Sequence, residues 1–264
     1  MKELYIIKIG GNIIDDTSAL DKFLYDLSKL KGHKILVHGG GKLATELSSK
    51  LNIETKMIDG RRVTDAKTLR VTTMVYAGWI NKSIVAKLQS LHCRALGLCG
   101  ADGFCLPAKK RPVGEVDYGF VGDVFPNQIN TDFFQNMLEF GITPVVAPIT
   151  CDPKGQLLNT NADTVASSLA EALSDLYETH LIFCFDKNGV LLDKNNSKSV
   201  IERIDTFKYQ ILRSEKIIAE GMIPKLDNAF KAKEAGASSV AIGHASNLLN
   251  IIKKQTNAAT YIGS

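Results

Sequence analysis

Two lysines beside glycine-containing turns are the residues of this 264-residue chain best suited to meet an anion: Lys8 in Lys8-Ile9-Gly10-Gly11 and Lys225 in Gly221-Met222-Ile223-Pro224-Lys225. Lys8 lies near the end of an apolar, strand-like run, Leu4 to Ile9. Open α/β sheets bind ligands at the carboxyl ends of their strands, and paired glycines let backbone N–H groups approach phosphate oxygens closely. Lys225 stands at the start of a predicted helix, where a cation opposes the helix dipole and an anionic ligand would relieve the placement. Each feature also has a plain structural reading, since Lys8-Ile9-Gly10-Gly11 alone is equally a strand that ends in a tight turn.

Three further constellations share this ambiguity when taken singly. His38-Gly39-Gly40-Gly41 ends a strand and opens a helix. Glycines cost roughly 1 kcal/mol each in a helix interior relative to alanine, so the run fits a loop whose backbone must be free, with a helix N-terminus behind it that favours negative charge. His38 by itself reads as a packed histidine. Gly60-Arg61-Arg62-Val63-Thr64 sets adjacent guanidinium groups before a long helix; either could clamp a carboxylate through its planar fork, or both could simply be solvated. Asn159-Thr160-Asn161-Ala162-Asp163 clusters short polar side chains between a strand and a helix, as ligand groups or as caps. Neither a Walker A pattern nor a complete G-x-G-x-x-G occurs, which argues against a P-loop ATPase and a dinucleotide-dependent dehydrogenase.

The elements that must position these residues alternate between strand and helix, the pattern of a mostly parallel sheet with helices on both faces. Strands are expected at 4–9, 35–37, 95–99, 143–149, 181–185, 240–242 and near Tyr261. Ser18 is expected to cap a helix that Gly32 stops, and further helices are predicted from Leu43 to Leu51, over 65–91, 131–140, to about Leu173, near 206–219, and over 225–235 and 246–254. Residues 103–125, rich in Gly, Pro and alternating apolar positions, suggest hairpins that lie over the sheet as a lid. A soft boundary near Leu176 divides the chain into residues 1–176 and 177–264, and the absence of repeats or a flexible linker predicts that both lobes share one sheet.

Composition narrows the function. With 45% hydrophobic and 23% charged residues the chain has an ordinary globular make-up. A net charge of +4, with no block of Lys/Arg interleaved with aromatics, makes nucleic acid an unexpected partner. Cys93, Cys99, Cys105, Cys151 and Cys184 are odd in number and lack C-x-x-C spacing, as expected of free thiols in a reducing compartment. The N-terminal apolar run is too short for a signal peptide, and no stretch reaches the ~20 apolar residues of a membrane span, so a cytoplasmic location away from membranes is expected.

In order and spacing these motifs, with Gly119-Phe120-Val121-Gly122-Asp123-Val124, resemble the amino acid kinase superfamily, and within it the N-acetylglutamate kinases, across essentially the whole chain. The resemblance implies a three-layer αβα sandwich, with acyl-amino-acid binding and dimerisation in residues 1–176 and ATP binding in residues 177–264. It implies ATP-dependent phosphorylation of the γ-carboxylate of N-acetyl-L-glutamate in arginine biosynthesis, with Mg2+ carried on the nucleotide phosphates and no metal site of the protein's own. Lys8 and Lys225 would then neutralise the transferring phosphoryl group, and Asp163 would hold both lysines. Gly40, Gly41, Arg62 and Asn159 would bind the substrate. Gly10, Gly11, Phe185, Asp186, Gly189, Val190, Leu191, Gly221, Met222 and Ile223 would contact the nucleotide. One departure stands out: Phe185-Asp186-Lys187-Asn188-Gly189 replaces the family's Ser/Thr-Asp-Val-x-Gly type.

The alternatives are N-succinylglutamate as acceptor, because Lys109-Lys110-Arg111 could attract an extra carboxylate on the acyl group; another kinase of the superfamily, acting on carbamate, aspartate, uridylate or glutamate; and a non-catalytic binder of amino acids or nucleotides. Retention of Lys8, Asp163 and Lys225 speaks against the last. Because arginine-inhibited members carry an extra N-terminal helix and this chain starts at its first strand, the expected assembly is a homodimer without arginine feedback.

Overall fold

Strand β1 (Lys2–Ile9) is buried without a break from Leu4 onward, and a strand with no polar face belongs in the middle of a sheet covered on both sides. The computed structural model, which describes residues 1–58, 61–193, 195–196, 199–218 and 222–263, places it there. The other strands of the main sheet are β2 (His33–His38), β5 (Ala95–Leu98), β8 (Thr143–Val146), β11 (Tyr177–Phe185), β12 (Arg203–Ile204), β13 (Ser239–His244) and β14 (Ala259–Ile262). Their order is β12-β14-β13-β11-β1-β2-β8-β5, parallel throughout except for the β13–β14 pair. Residues 1–176 and 177–264 thus contribute to one continuous sheet, joined where β1 pairs with β11.

Parallel register decides which residues share an edge. Ile9 lies opposite His38 on one side and Cys184 on the other, so Gly10-Gly11, Gly39-Gly40-Gly41 and Phe185-Asp186 all leave the sheet together at its carboxyl end. One face is covered by α6 (Thr131–Glu139), α7 (Ala162–Ala172), α8 (Thr206–Ser214) and α9 (Ile223–Glu234), which pack on Leu4, Ile6, Val37 and Phe183. The other is covered by α1 (Gly11–Asp15), α2 (Thr17–Lys29), α3 (Gly41–Lys50), α4 (Ala66–Thr73), α5 (Asn81–Ser90) and α10 (Leu248–Ile252), packed on Tyr5, Ile7 and Ile9. These are the three layers expected, an αβα sandwich on a mostly parallel sheet.

Three two-stranded ribbons close over the carboxyl end: β3 (Met57–Ile58) with β4 (Arg61–Arg62), β6 (Ala108–Lys110) with β7 (Gly122–Val124), and β9 (Ile149–Cys151) with β10 (Leu157–Asn159). Single bridges between Thr64 and Gly119 and between Val121 and Asn159 tie them together.

Several expectations are corrected in detail. The α2 cap is Asp16, whose carboxylate accepts from the Ala19 N–H at 3.0 Å, and not Ser18. The expected strand over 143–149 divides at Ala147-Pro148 into β8 and β9, since proline has no N–H for a ladder. The helix over 65–91 contains a π-helical segment, Met74–Ile80, between α4 and α5. All five cysteines are free thiols. Among the described residues no helix is long and apolar enough to cross a membrane.

Candidate active site

The site is organised by one carboxylate. Asn161 caps α7, its Oδ1 accepting from the N–H groups of Asp163 (2.8 Å) and Thr164 (3.1 Å), and this fixes Asp163 in the first turn. Lys8 shares the strand face of Leu4 and Ile6 and so projects from β1 onto the α7 side of the sheet. Its Nζ lies 2.6 Å from Asp163 Oδ1. Lys225, in the first turn of α9, reaches the same carboxylate through Oδ2 at 2.9 Å. Lys8 and Asp163 are each 7% exposed. Burial pushes the Asp163 carboxyl up, yet the ammonium groups of Lys8 and Lys225 outweigh it and hold the acid at about 2. Burial draws the Lys8 ammonium below its ordinary range, Lys225 adds to this, and the attraction of Asp163 only partly offsets it.

The glycine loop forms the next wall. Gly39 N–H donates to Ile9 C=O at 3.1 Å, continuing the sheet before α3 begins. Gly40 adopts φ +146°, a conformation open to glycine and strained for side chains, and a Cβ there would overlap Ile80 Cδ1 and sit 3.2 Å from the Tyr76 ring. The π-helical segment therefore presses two side chains against a backbone that must lack one. His38, fully buried, has its Nδ1 2.9 Å from Gly39 C=O and its Nε2 3.1 Å from the Asn81 amide nitrogen. With an acceptor at one nitrogen and a donor at the other, the ring is neutral with its proton on Nδ1; burial holds its pKa down at about 4. It anchors the loop from within the core. Gly40→Ala should lower stability by roughly 1–3 kcal/mol, the range for overpacking and strained backbone, together with activity, as checked by thermal melts and turnover; a fully stable, fully active variant would show that the loop tolerates a side chain.

Lys8, Gly11, Gly40, Gly41, Arg62, Asn159 and Asp163 line one cavity of about 240 Å3, smaller than the roughly 300–1,000 Å3 of sites for drug-sized ligands and suited to a small metabolite. Arg62 is held rigid: Nη2 donates to Gly41 C=O and Thr45 Oγ1, both at 2.8 Å, and Nη1 to Thr55 Oγ1 at 3.2 Å. The Asn159 amide nitrogen donates to Thr64 Oγ1 at 3.0 Å. The cavity also takes in Met57, Arg61, Tyr76, Arg111, Val121 and Pro148. Of these Arg61, Arg111 and Val121 stand within stretches that the sequence singles out; Tyr76 and Pro148 carry no sequence mark of a site, because the helix and ribbon that bring them in are packing outcomes.

Of the described residues expected at the nucleotide, Gly11 lines that cavity and the others do not. Phe185 ends β11 beside it, Gly10 N–H donates to Cys184 C=O at 3.3 Å, and Asn12 Nδ2 lies 3.2 Å from Asp186 Oδ2. Gly189 packs on Thr260, whose hydroxyl accepts from the Val190 N–H at 2.8 Å. Val190 is a core side chain and Leu191 bridges to Val200. Met222 and Ile223 pack against the core at the start of α9, near Lys225. Gly221, like Gly60, lies outside the described residues.

Residues 3–244 match the model of the amino acid kinase family. The chain is 53% identical to the acetylglutamate kinase of Cytophaga hutchinsonii, over 98% of each chain. It is 50% identical to that of Parabacteroides distasonis, over 94% of this chain and 96% of the relative. In fold it is similar to the carbamate kinase of Giardia lamblia bound to AMP-PNP, with TM-score 0.74, 13% identity, and 99% of this chain and 98% of that one covered.

Proposed function

This chain belongs to the amino acid kinase family, alongside the acetylglutamate kinases, and we propose that it transfers the γ-phosphoryl group of ATP to the γ-carboxylate of N-acetyl-L-glutamate, giving N-acetylglutamyl 5-phosphate for arginine biosynthesis. The observation that carries the reading is the bridge Lys8–Asp163–Lys225, set against the cavity that holds Arg62 and Asn159. A γ-carboxylate has a reference pKa near ~4.3 and is ionised at neutral pH, so the nucleophile needs no general base. The obstacle is repulsion between that carboxylate and the nucleotide's terminal phosphate. Phosphoryl transfer is catalysed chiefly by positioning and charge stabilisation, and two ammonium groups held a fixed distance apart by one carboxylate provide both.

Asp163, held ionised down to about 2, is no proton donor at working pH; its role in this reading is to set the positions of the lysines. Both of its oxygens already face ammonium groups, so Mg2+ enters on the nucleotide phosphates and not on Asp163. Arg62 and Asn159 bind the α-carboxylate and the acyl amide, and the Phe185–Leu191 and Gly221–Ile223 segments bind ATP in the half formed by residues 177–264. A cytoplasmic homodimer belongs to the same proposal; Met74 and Trp79, 47% and 72% exposed on the π-helical segment, give a second copy apolar surface to cover.

The decisive assay is ADP release with MgATP and a panel of N-acetyl-L-glutamate, L-glutamate, L-aspartate, carbamate and UMP. Turnover with the acetylated amino acid well above the rest is expected. Equal or greater turnover with another acceptor, or none at all, would overturn the assignment.

A further inference from the structure

The proposed reaction leaves His38 without a task, yet a buried chain of hydrogen bonds runs through its ring to the glycine loop. The chain starts at Asn81, the first residue of α5 after the π-helical segment, which is fully buried. Its amide nitrogen donates to Val145 C=O at 2.9 Å and to His38 Nε2 at 3.1 Å, and its Oδ1 accepts from Lys82 Nζ at 3.2 Å. A carbonyl on one side and an ammonium on the other leave the amide a single orientation. Lys82 is held in turn by Gly97 C=O at 3.0 Å. A Cβ at Gly97 would overlap Asn81 Oδ1, so β5 makes room for this amide with a glycine. Because Asn81 presents a donor, His38 Nε2 must accept, and the one proton of the neutral ring sits on Nδ1, where Gly39 C=O receives it at 2.9 Å.

The consequence lies in the next peptide unit. A trans peptide is planar, with its C=O and the following N–H pointing in opposite directions. Pinning the Gly39 carbonyl against the buried ring therefore turns the Gly40 N–H away from it, and Gly39, Gly40 and Gly41 line the cavity together with Lys8. That N–H has no acceptor among the described residues. A backbone donor stabilises developing charge best when its direction is set before the reaction, so that no reorientation is needed as the charge forms.

We propose that His38 is a positioning residue for phosphoryl transfer: its Nδ1–H holds the Gly39 carbonyl, Asn81 fixes the tautomer that makes this possible, and the Gly40 N–H is thereby aimed at the transferring group. The inference rests on the kinase reading above and gives the buried histidine a part in it. Core packing alone would not choose between the two tautomers.

The test compares His38→Leu and His38→Asn with the wild type, using MgATP and N-acetyl-L-glutamate. Both variants lose the ring and leave Asn81 without its acceptor, so both should melt at lower temperature. Only the asparagine keeps an N–H, on Nδ2, where Nδ1–H stood. His38→Leu should lower kcat by roughly tenfold or more, with KM for N-acetyl-L-glutamate changed much less, and His38→Asn should recover most of kcat. Equal kcat in the two variants, or kcat and KM moving together, would overturn this inference and leave the kinase reading intact. A wild type that does not phosphorylate N-acetyl-L-glutamate would overturn both. NMR of the wild type needs no substitution: the imidazole nitrogens of His38 should report the Nδ1–H tautomer, and the Gly40 amide proton should move downfield when N-acetyl-L-glutamate and MgAMP-PNP bind. An Nε2–H tautomer, or a Gly40 amide that neither ligand moves, would overturn the inference even if neither variant folds.

Discussion

Lys8→Ala should lower kcat by roughly 10² or more, the effect of removing one preorganised donor from a site where charge develops. Lys8 is the buried member of the lysine pair and lines the cavity, so in the proposed reaction its loss falls on the transferring group more than on acceptor binding. KM for the acylated amino acid should therefore change much less than kcat, the pattern of an interaction made mainly in the transition state. Lys225→Ala should act in the same direction. Circular dichroism and a thermal melt would separate lost chemistry from lost folding, and a folded Lys8→Ala enzyme with near-normal turnover would remove the residue from the mechanism. A pH profile gives a second reading. Burial, aided by the like charge of Lys225, sets the Lys8 pKa below the ordinary lysine range, so kcat/KM should fall on the alkaline side at a pH lower than a free lysine would give. In kcat the limb should move upward, because bound phosphates favour the charged form.

How much of this was legible beforehand follows from the kind of signal each part left. The strands β1, β2 and β11 are readable because burial on both faces makes them continuous apolar runs, and the glycine turns behind β1 and β2 mark the edge of the sheet where the cavity lies. The ribbon β9–β10 was not. Ile149-Thr150-Cys151 continues the apolar run of β8, and only Pro148 marks where one strand stops and another begins. The π-helical segment left no trace either, since Met74–Ile80 has the composition of an ordinary helix; its consequence, Tyr76 and Ile80 against Gly40, depends on how α4 and α5 sit on the sheet. The convergence of Lys8, Asp163 and Lys225 came from the resemblance and not from spacing, because three elements far apart in sequence supply one residue each. Arg111 shows the limit most clearly: the three cations at 109–111 were visible, but which of them faces the cavity is decided by the rings of Phe125 and Phe120, over which Lys109 and Lys110 lie, and by Asp123, which holds Arg111.

Asp163→Asn should be the most destabilising single change at the site. Removing one partner of a buried ion pair typically costs about 3–5 kcal/mol, because the remaining charge is left buried and uncompensated. Here one substitution strips two ammonium groups, Lys8 at 7% exposure and the more open Lys225. Deprotonation of Lys8, which burial already favours, recovers part of the loss. For a chain of this size a loss of that order lowers Tm by on the order of 10 °C. The pH dependence tests the cause. A carboxyl whose folded pKa is depressed from 3.8 to about 2 contributes stability that is fully present above the unfolded value and disappears as pH falls through the folded one; by linkage the contribution is about 2 kcal/mol. The gap in Tm between the wild type and Asp163→Asn should accordingly be wide at pH 7 and narrow as the pH falls below 4. A gap that stays constant from pH 7 to 3 would mean that the ionised carboxylate is not what holds the two lysines, and with it the account of how this site keeps two cations in place to receive a phosphoryl group would fail.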